Sequence, residues 1–316
     1  EIIIKNKPLD TTNDGIGVFD PSQYGTSLLA IDGTVTMHGA MKSPTFVRLA
    51  SEPKVGDTTL LLSELVSGWK VGDELVLPDT RQLTSSELAP STAQTAPDGT
   101  PLTSNTYRLT SQSEKVIISS IVGTTVTITT ALQYNHKGAR NPDGQLDFLP
   151  HVGNLTRNIS IRSEDPSGIR GHTLFTRYTD ADVRYVAFKN LGRTKAELLD
   201  NTTFDSTGQV THIGTNQIGR YPLHYHHIYG TCSPKSYQFQ AVGNSIEEGA
   251  RWGLTVHDAH FGLVKDNVVY NFKGAGIATE DGSETSNLLE HNFVIRVENP
   301  SMRVGGLEMF FDPLGR

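Results

Sequence analysis

Apolar and polar residues alternate along residues 220–227, 251–258 and 276–281, and the three stretches superpose with His226, His257 and Glu280 in register. A strand sends successive side chains to opposite faces. Leu223 with Tyr225, Leu254 with Val256, and Ile277 with Thr279 therefore form a mostly apolar inner set. The other parity carries Arg220, His224 and His226, then Arg251, Thr255 and His257, then Glu280. A fourth stretch, 306–312, turns Leu307 and Met309 inward and Glu308 outward. The copies are offset in register by 31, 23 and 30 residues, a period that signals a solenoid with one copy per coil. A second ladder recurs independently: Asn244, Asn267 and Asn292, each followed by a strand-forming triplet and spaced by 23 and 25 residues, stack at a corner. An Asn there can bond the backbone of its own and neighbouring coils. The pattern predicts a right-handed parallel β-helix.

The first half alternates differently. Short strand candidates at 34–37, 46–49, 59–62, 74–77, 114–121 and 125–129 are separated by turn signals such as Gly56-Asp57 and Gly72-Asp73, which suits a small β-sandwich or roll. A Ser/Thr/Pro/Ala-rich stretch at 78–106 has no periodicity and reads as a long surface loop. A short helix at 195–200 is the one helical expectation. The predicted organisation is all-β: an N-terminal β domain over 1–140 and a β-helix over 141–316 that is cut short at its C-terminus.

Composition narrows the function classes. The formal net charge of −7 argues against nucleic acid, which needs a clustered basic surface. No apolar run is long enough to span a bilayer, so no membrane segment is expected. With 30 Gly, 15 Pro and 36% hydrophobic residues, the chain suits a turn-rich β protein. A single Cys232 excludes an internal disulfide framework. The chain begins at Glu1 with no Met before Met37, which suggests a processed or excised piece. Sequons at Asn154, Asn158 and Asn201 permit glycosylation of a secreted protein.

Several motifs carry a resemblance. His38-Gly39, Gly56-Asp57, Gly68-Trp69, the Val71 to Glu74 run and the closing Leu132 to Gly138 run resemble the eight-glycine domain of extracellular proteins. The second half adds the His151 to Ile159 run, Arg170-Gly-His172, the Val186 to Gly192 run, the Gly219 to His226 run, Val256-His257 and Thr279-Glu-Asp-Gly282. Together they resemble the family of the cell-migration-inducing hyaluronan-binding protein, the transmembrane hyaluronidase and the fibrocystins. The resemblance implies an extracellular or cell-surface location. It also implies hyaluronan degradation in two branches, one with a calcium requirement, whereas the fibrocystins are large surface proteins not known as enzymes.

Coils of a β-helix lie about 4.8 Å apart, so His226, His257 and Glu280 would span roughly 10 Å, with the Glu280 and Glu308 carboxylates roughly 8 Å apart. That separation suits an inverting glycosidase, with Asp281 or Asp258 as the alternative second carboxylate. Arg220 and Arg251 could clamp a uronate carboxylate, or pair with the acids as a structural ladder. Elimination would use His257 as base and Arg251 to neutralise the carboxylate. Tyr221 and Trp252 are either packed edge residues or a stacking platform for sugars. His224, His226, His257 and Asp258 could bind a divalent cation, Zn²⁺ through imidazoles or Ca²⁺ through oxygens, or the histidines could simply stack as polar rungs. His172 and His38 read as turn residues. The leading function is depolymerisation of an acidic polysaccharide. The alternative is a non-catalytic adhesion or fibre-forming protein that self-associates through the solenoid.

Overall fold

The computed structural model describes residues 1–7, 9, 20–82, 94–95, 101–102, 111–230, 237–298, 302–304 and 307–309. Among these there is no α-helix, and no helix is long and apolar enough to cross a membrane. The chain divides into two units: Glu1–Phe46 with Val66–Trp69 and Gly153–Arg316, and Val47–Leu65 with Lys70–Val152.

The first unit is a parallel β-helix of three sheets. One sheet stacks Ile2–Ile4, Ile159–Ser163, Val186–Lys189, Ser245–Glu247, Val268–Lys273 and Phe293–Glu298. The second stacks Ser27–Ile31, His172–Arg177, Leu223–Ile228, Leu254–His257 and Ile277–Thr279. The third stacks Thr34–His38, Asp180–Arg184, Phe239–Val242, Gly262–Lys265 and Leu288–Glu290. The expected register holds: Leu223 faces Leu254, which faces Ile277, and His226 faces His257. Inward residues Phe175, Leu223, Tyr225, Phe239, Leu254, Val256 and Val264 are fully buried, and the Tyr225 and Phe239 rings stack at 4.3 Å. Complete burial of side chains this large is the main stabilising contribution.

The asparagine ladder forms as the spacing predicts. At successive coils Tyr185, Gly243, Asp266 and His291 adopt φ of 54°, 66°, 58° and 49°, the left-handed bend that turns the chain from the third sheet into the first. The next residue is Asn in three of these coils. Asn244 and Asn267 donate their amides to the carbonyls of Val183 and Ala241 in the preceding coil. Their Oδ1 atoms accept the N–H of Val186 and Asn244, and Asn292 repeats both bonds on Val264 and Asn267. A bend of this kind frees backbone groups that no strand can pair, and the buried amide satisfies them.

The boundary expected at 140 is corrected. Residues 27–38 were grouped with the N-terminal β domain, yet Ser27–Ile31 and Thr34–His38 pair in parallel with His172–Arg177 and Asp180–Arg184 as the first coil of the solenoid. Period-two alternation is the same for a hairpin strand and a solenoid strand, so the pattern located strand 34–37 without revealing its partner. The second unit is accordingly shorter. It contains an antiparallel run of Glu74–Leu77, Glu114–Val122, Thr125–Ile128 and Thr59–Leu61 over a core of Leu60, Leu75, Leu77, Ile118, Val126 and Ile128. Its two Lys-Val-Gly-Asp segments make the same turn. Gly56 and Gly72 take φ of 91° and 88°, while Asp57 and Asp73 accept the N–H of Lys54 and Lys70.

The helix expected at 195–200 is absent, because the Asn216 side chain bonds the backbone of Lys195, Glu197 and Leu198 and so takes groups a helix would use. The fourth solenoid copy is corrected as well. Leu307–Met309 pairs antiparallel with Met302–Val304 and not with Ile277–Thr279. The Glu308 side chain, Cys232 and most of the 78–106 loop lie outside the described residues.

Within the second unit, His136 is fully buried. Its Nδ1 lies 2.7 Å from the Pro78 carbonyl and its Nε2 2.7 Å from Glu114 Oε1, which in turn accepts the N–H of Tyr134. Replacing His136 by Ala opens a void and strands a buried carboxylate, so urea unfolding should show a loss of about 3 kcal/mol.

Candidate functional site

The second sheet presents its outer face as two columns. Leu174, His224 and Thr255 align in one, and Thr176, His226 and His257 in the other. A covering segment shields the first column. Residues 193–219 are tied to residues 21–26 through Thr202 to Pro21, Gln23 to Gly214 and Arg193 to both Gln23 and Thr26. Parity alone marked this whole face as exposed. In the structure His224, Arg251 and Glu280 are buried at 1%, 3% and 8% exposure, and Thr255 at 0%.

The cover changes two assignments. Arg220 donates to the carbonyls of Ile218 and Ser22 and to Gln217 Oε1, and its guanidinium lies 4.9 Å from the Tyr24 ring. Arg251 is buried, 5.3 Å from the Trp252 ring. The expected pair of exposed guanidinium clamps is therefore corrected: one fork is engaged in holding the cover and the other is sealed. Tyr221 is 1% exposed and stacks on Trp252 at 5.3 Å, so of the two readings weighed for this pair, Tyr221 fits packing and not a sugar platform.

Where the cover ends, the expected column assembles. His226 Nδ1 lies 3.0 Å from His257 Nδ1. His257 Nε2 lies 2.8 Å from Asp281 Oδ2, and its Nδ1 is 3.4 Å from Glu280 Oε2. The Glu280 side chain is 1% exposed, His257 19% and Asp281 28%, so the group grades from sealed to open over two residues of chain. His224 donates Nδ1–H to the Gly219 carbonyl at 2.8 Å. One ring nitrogen each from His224, His226 and His257 falls within 4.8 Å of the other two. Asp258 does not join that group: its Oδ1 meets Ser283 Oγ at 3.1 Å and His260 Nε2 at 3.5 Å.

Glu284 is a residue that sequence reasoning missed. Its Oε1 accepts the N–H groups of Asp258, Glu280 and Asp281 at 3.0, 3.2 and 3.0 Å, fixing the turn that presents both candidate carboxylates. The signal was a lone acid two residues after Gly282, whose φ of 74° marks the turn. His227, whose ring stacks on His226 at 3.9 Å, was also passed over. Asn154 is fully buried and cannot accept a glycan, whereas Asn158 and Asn201 are exposed.

Burial holds the imidazole of His224 well below the usual histidine range, with further repulsion from His226. Burial, then the neighbouring His227 and His257, brings His226 down to about 3. His172, expected in a turn, instead opens a strand and is fully buried. Burial and the charges of Arg193 and Arg220 depress it strongly. The unfolded chain protonates this histidine near pH 6.5, the folded chain only far lower. Its contribution is therefore complete above about pH 6.5 and falls as pH drops below that, by about 1.4 kcal/mol per pH unit. Urea midpoints of metal-free protein between pH 7.5 and 4 should show this decline, and His172→Gln should flatten it by close to one proton. An unchanged slope in that variant would reassign the acid sensitivity.

Residues 200–307 match the family model described as CEMIP beta-helix. Human fibrocystin-L is 29% identical over 303 residues, covering 87% of this chain and 6% of the relative. The human cell surface hyaluronidase CEMIP2 is 32% identical over 152 residues, 46% of this chain and 10% of the relative. The mouse cell migration-inducing and hyaluronan-binding protein is 25% identical over 319 residues, 95% of this chain and 21% of the relative. The chain thus spans less than a quarter of the length of each of these relatives.

Proposed function

For a chain that carries a CEMIP β-helix domain and is related to fibrocystin-L and to hyaluronan-binding proteins, we propose binding of an acidic extracellular polysaccharide, with depolymerisation at the open edge of the histidine column. The observation that carries this reading is the graded cluster in which His257 contacts Glu280 on its sealed side and Asp281 on its open side. Two carboxyl groups in contact with one imidazole offer the paired acid–base groups that glycosidic chemistry uses. Glu280 acts as the acid–base carboxyl, Asp281 positions His257, and Glu284 holds both backbones in place. The names of the hyaluronidase and hyaluronan-binding relatives support a hyaluronan-like, uronate-containing polymer as the ligand. They also support a cell-surface or extracellular setting.

Adhesion without catalysis is the second reading. It is favoured by the internal engagement of Arg220 and Arg251 and by the extended similarity to fibrocystin-L. The two separate in one experiment. The protein is incubated with hyaluronan, chondroitin sulfate and a neutral glucan, with polymer length followed by size exclusion and retention by co-sedimentation. Shortening of an acidic polymer supports depolymerisation, and shortening without the ultraviolet absorbance of an unsaturated uronate supports hydrolysis over elimination. Retention without shortening supports adhesion, and neither outcome with any acidic polymer overturns both.

A further inference from the structure

We infer that His224, His226 and His257 form a binding site for a Zn²⁺-class cation. Three observations meet there. One nitrogen from each ring lies within 4.8 Å of the others, and the closest pair, His226 Nδ1 and His257 Nδ1, is 3.0 Å apart. Tetrahedral zinc with bonds of about 2.0–2.1 Å places its ligand atoms about 3.3 Å from one another, so two ligands already stand near their final spacing and the third, within 4.8 Å of both, has at most about 1.5 Å to close.

The rings are also aimed. His224 is committed through Nδ1–H to the Gly219 carbonyl, which leaves the lone pair on Nε2. That atom is buried and has no hydrogen-bond partner among the described residues. His257 is held through Nε2 by Asp281, which leaves Nδ1 turned toward the cluster. A carbonyl or carboxylate bound to the far nitrogen is how metal-binding histidines are oriented. The third observation is Thr255. It pairs with His224 across the sheet, is fully buried, and its hydroxyl likewise lacks a hydrogen-bond partner among the described residues. A buried imidazole lone pair beside a buried unsatisfied hydroxyl is a costly arrangement in a dry site. A cation drawing on the imidazoles relieves the first of these directly.

The chemistry of the donors selects the ion. Imidazole nitrogen suits Zn²⁺ and its first-row neighbours, whereas Ca²⁺ takes six to eight oxygens. Three rings converging on one point exclude such an oxygen shell, so the calcium requirement implied by the sequence resemblance does not fit this cluster. Glu280 Oε2 lies 3.4 Å from His257 Nδ1, on the side of that ring that faces His226. The inference stands on this geometry and holds whether or not a polysaccharide is cleaved.

The test uses the full chain stripped with a chelator. Zn²⁺ should bind at one equivalent, Co²⁺ should give the visible absorption of a tetrahedral nitrogen-rich site, and Ca²⁺ should displace neither. His226→Gln, which keeps a polar side chain at this partly buried position, should weaken Zn²⁺ binding at least 100-fold. Asp281→Asn, which only frees the His257 ring, should weaken it about 10-fold. Absence of a Co²⁺ spectrum in the wild-type protein, or full Zn²⁺ stoichiometry retained in His226→Gln, would overturn the assignment. Neither readout depends on activity, so a protein that cleaves polymer but takes up neither ion rejects the cation site and leaves the proposed function standing, while one that binds Zn²⁺ without cleaving does the reverse.

Discussion

Glu280→Gln should lower the rate of polysaccharide shortening by about 10²–10⁴-fold, the range lost when a positioned acid–base group is removed. The amide is isosteric with the carboxyl and keeps an oxygen for neighbouring donors, so the thermal midpoint should stay close to that of the parent. Asp281→Asn, acting through His257, should cost about tenfold and shift the pH profile as the ring loses its partner. Zn²⁺ uptake should survive in Glu280→Gln, because the three imidazoles remain. Equal rates for Glu280→Gln and the parent protein, both folded, would remove this cluster from the chemistry and leave the adhesion reading.

Asn267→Ala should be the most damaging single change to the solenoid's stability. Its side chain donates to Ala241 O and accepts the N–H of Asn244, both buried, while its own N–H and amide engage Asn292. Truncation leaves a buried donor and a buried acceptor without partners, each worth about 1–3 kcal/mol, so chemical denaturation should show a loss of about 3–5 kcal/mol. Asn267→Asp is the informative companion. It keeps the acceptor for Asn244 but loses the donor to Ala241 and buries a charge, so it should be no better than Ala near neutral pH. An alanine variant within about 0.5 kcal/mol of the parent would show that the corner closes without the ladder.

These two sites also show what the sequence could and could not convey. The ladder was legible because one residue type at one corner does one local job in three successive coils, leaving a period in the text. The His226, His257 and Glu280 column was legible for the same reason: parallel register carries position in one coil to the same position in the next. What covers the column was not. Arg220 and Arg251 have outward parity, yet Arg251 is buried, and the tertiary path of residues 193–219 against residues 21–26 engages Arg220. For the same reason the sequence left Tyr221 open between packing and a sugar platform, and burial decides for packing. The partner of strand 34–37 was hidden for a related cause, since the alternation that identifies a strand is silent about which strand lies beside it.

That pairing has a consequence for how the protein is made. Asp32 and Tyr178, joined by a hydrogen bond, lie 146 residues apart in the chain, and the strands around them pair across similar intervals. On the ribosome, at about 5–20 residues per second, the strands of residues 27–38 wait many seconds for their partners at 172–184 while the inserted unit is synthesised. Thr45 and Asn154 then meet again through a backbone hydrogen bond at 2.9 Å. The intervening domain can fold on its own schedule inside that interval, and the solenoid grows from a template laid down before it.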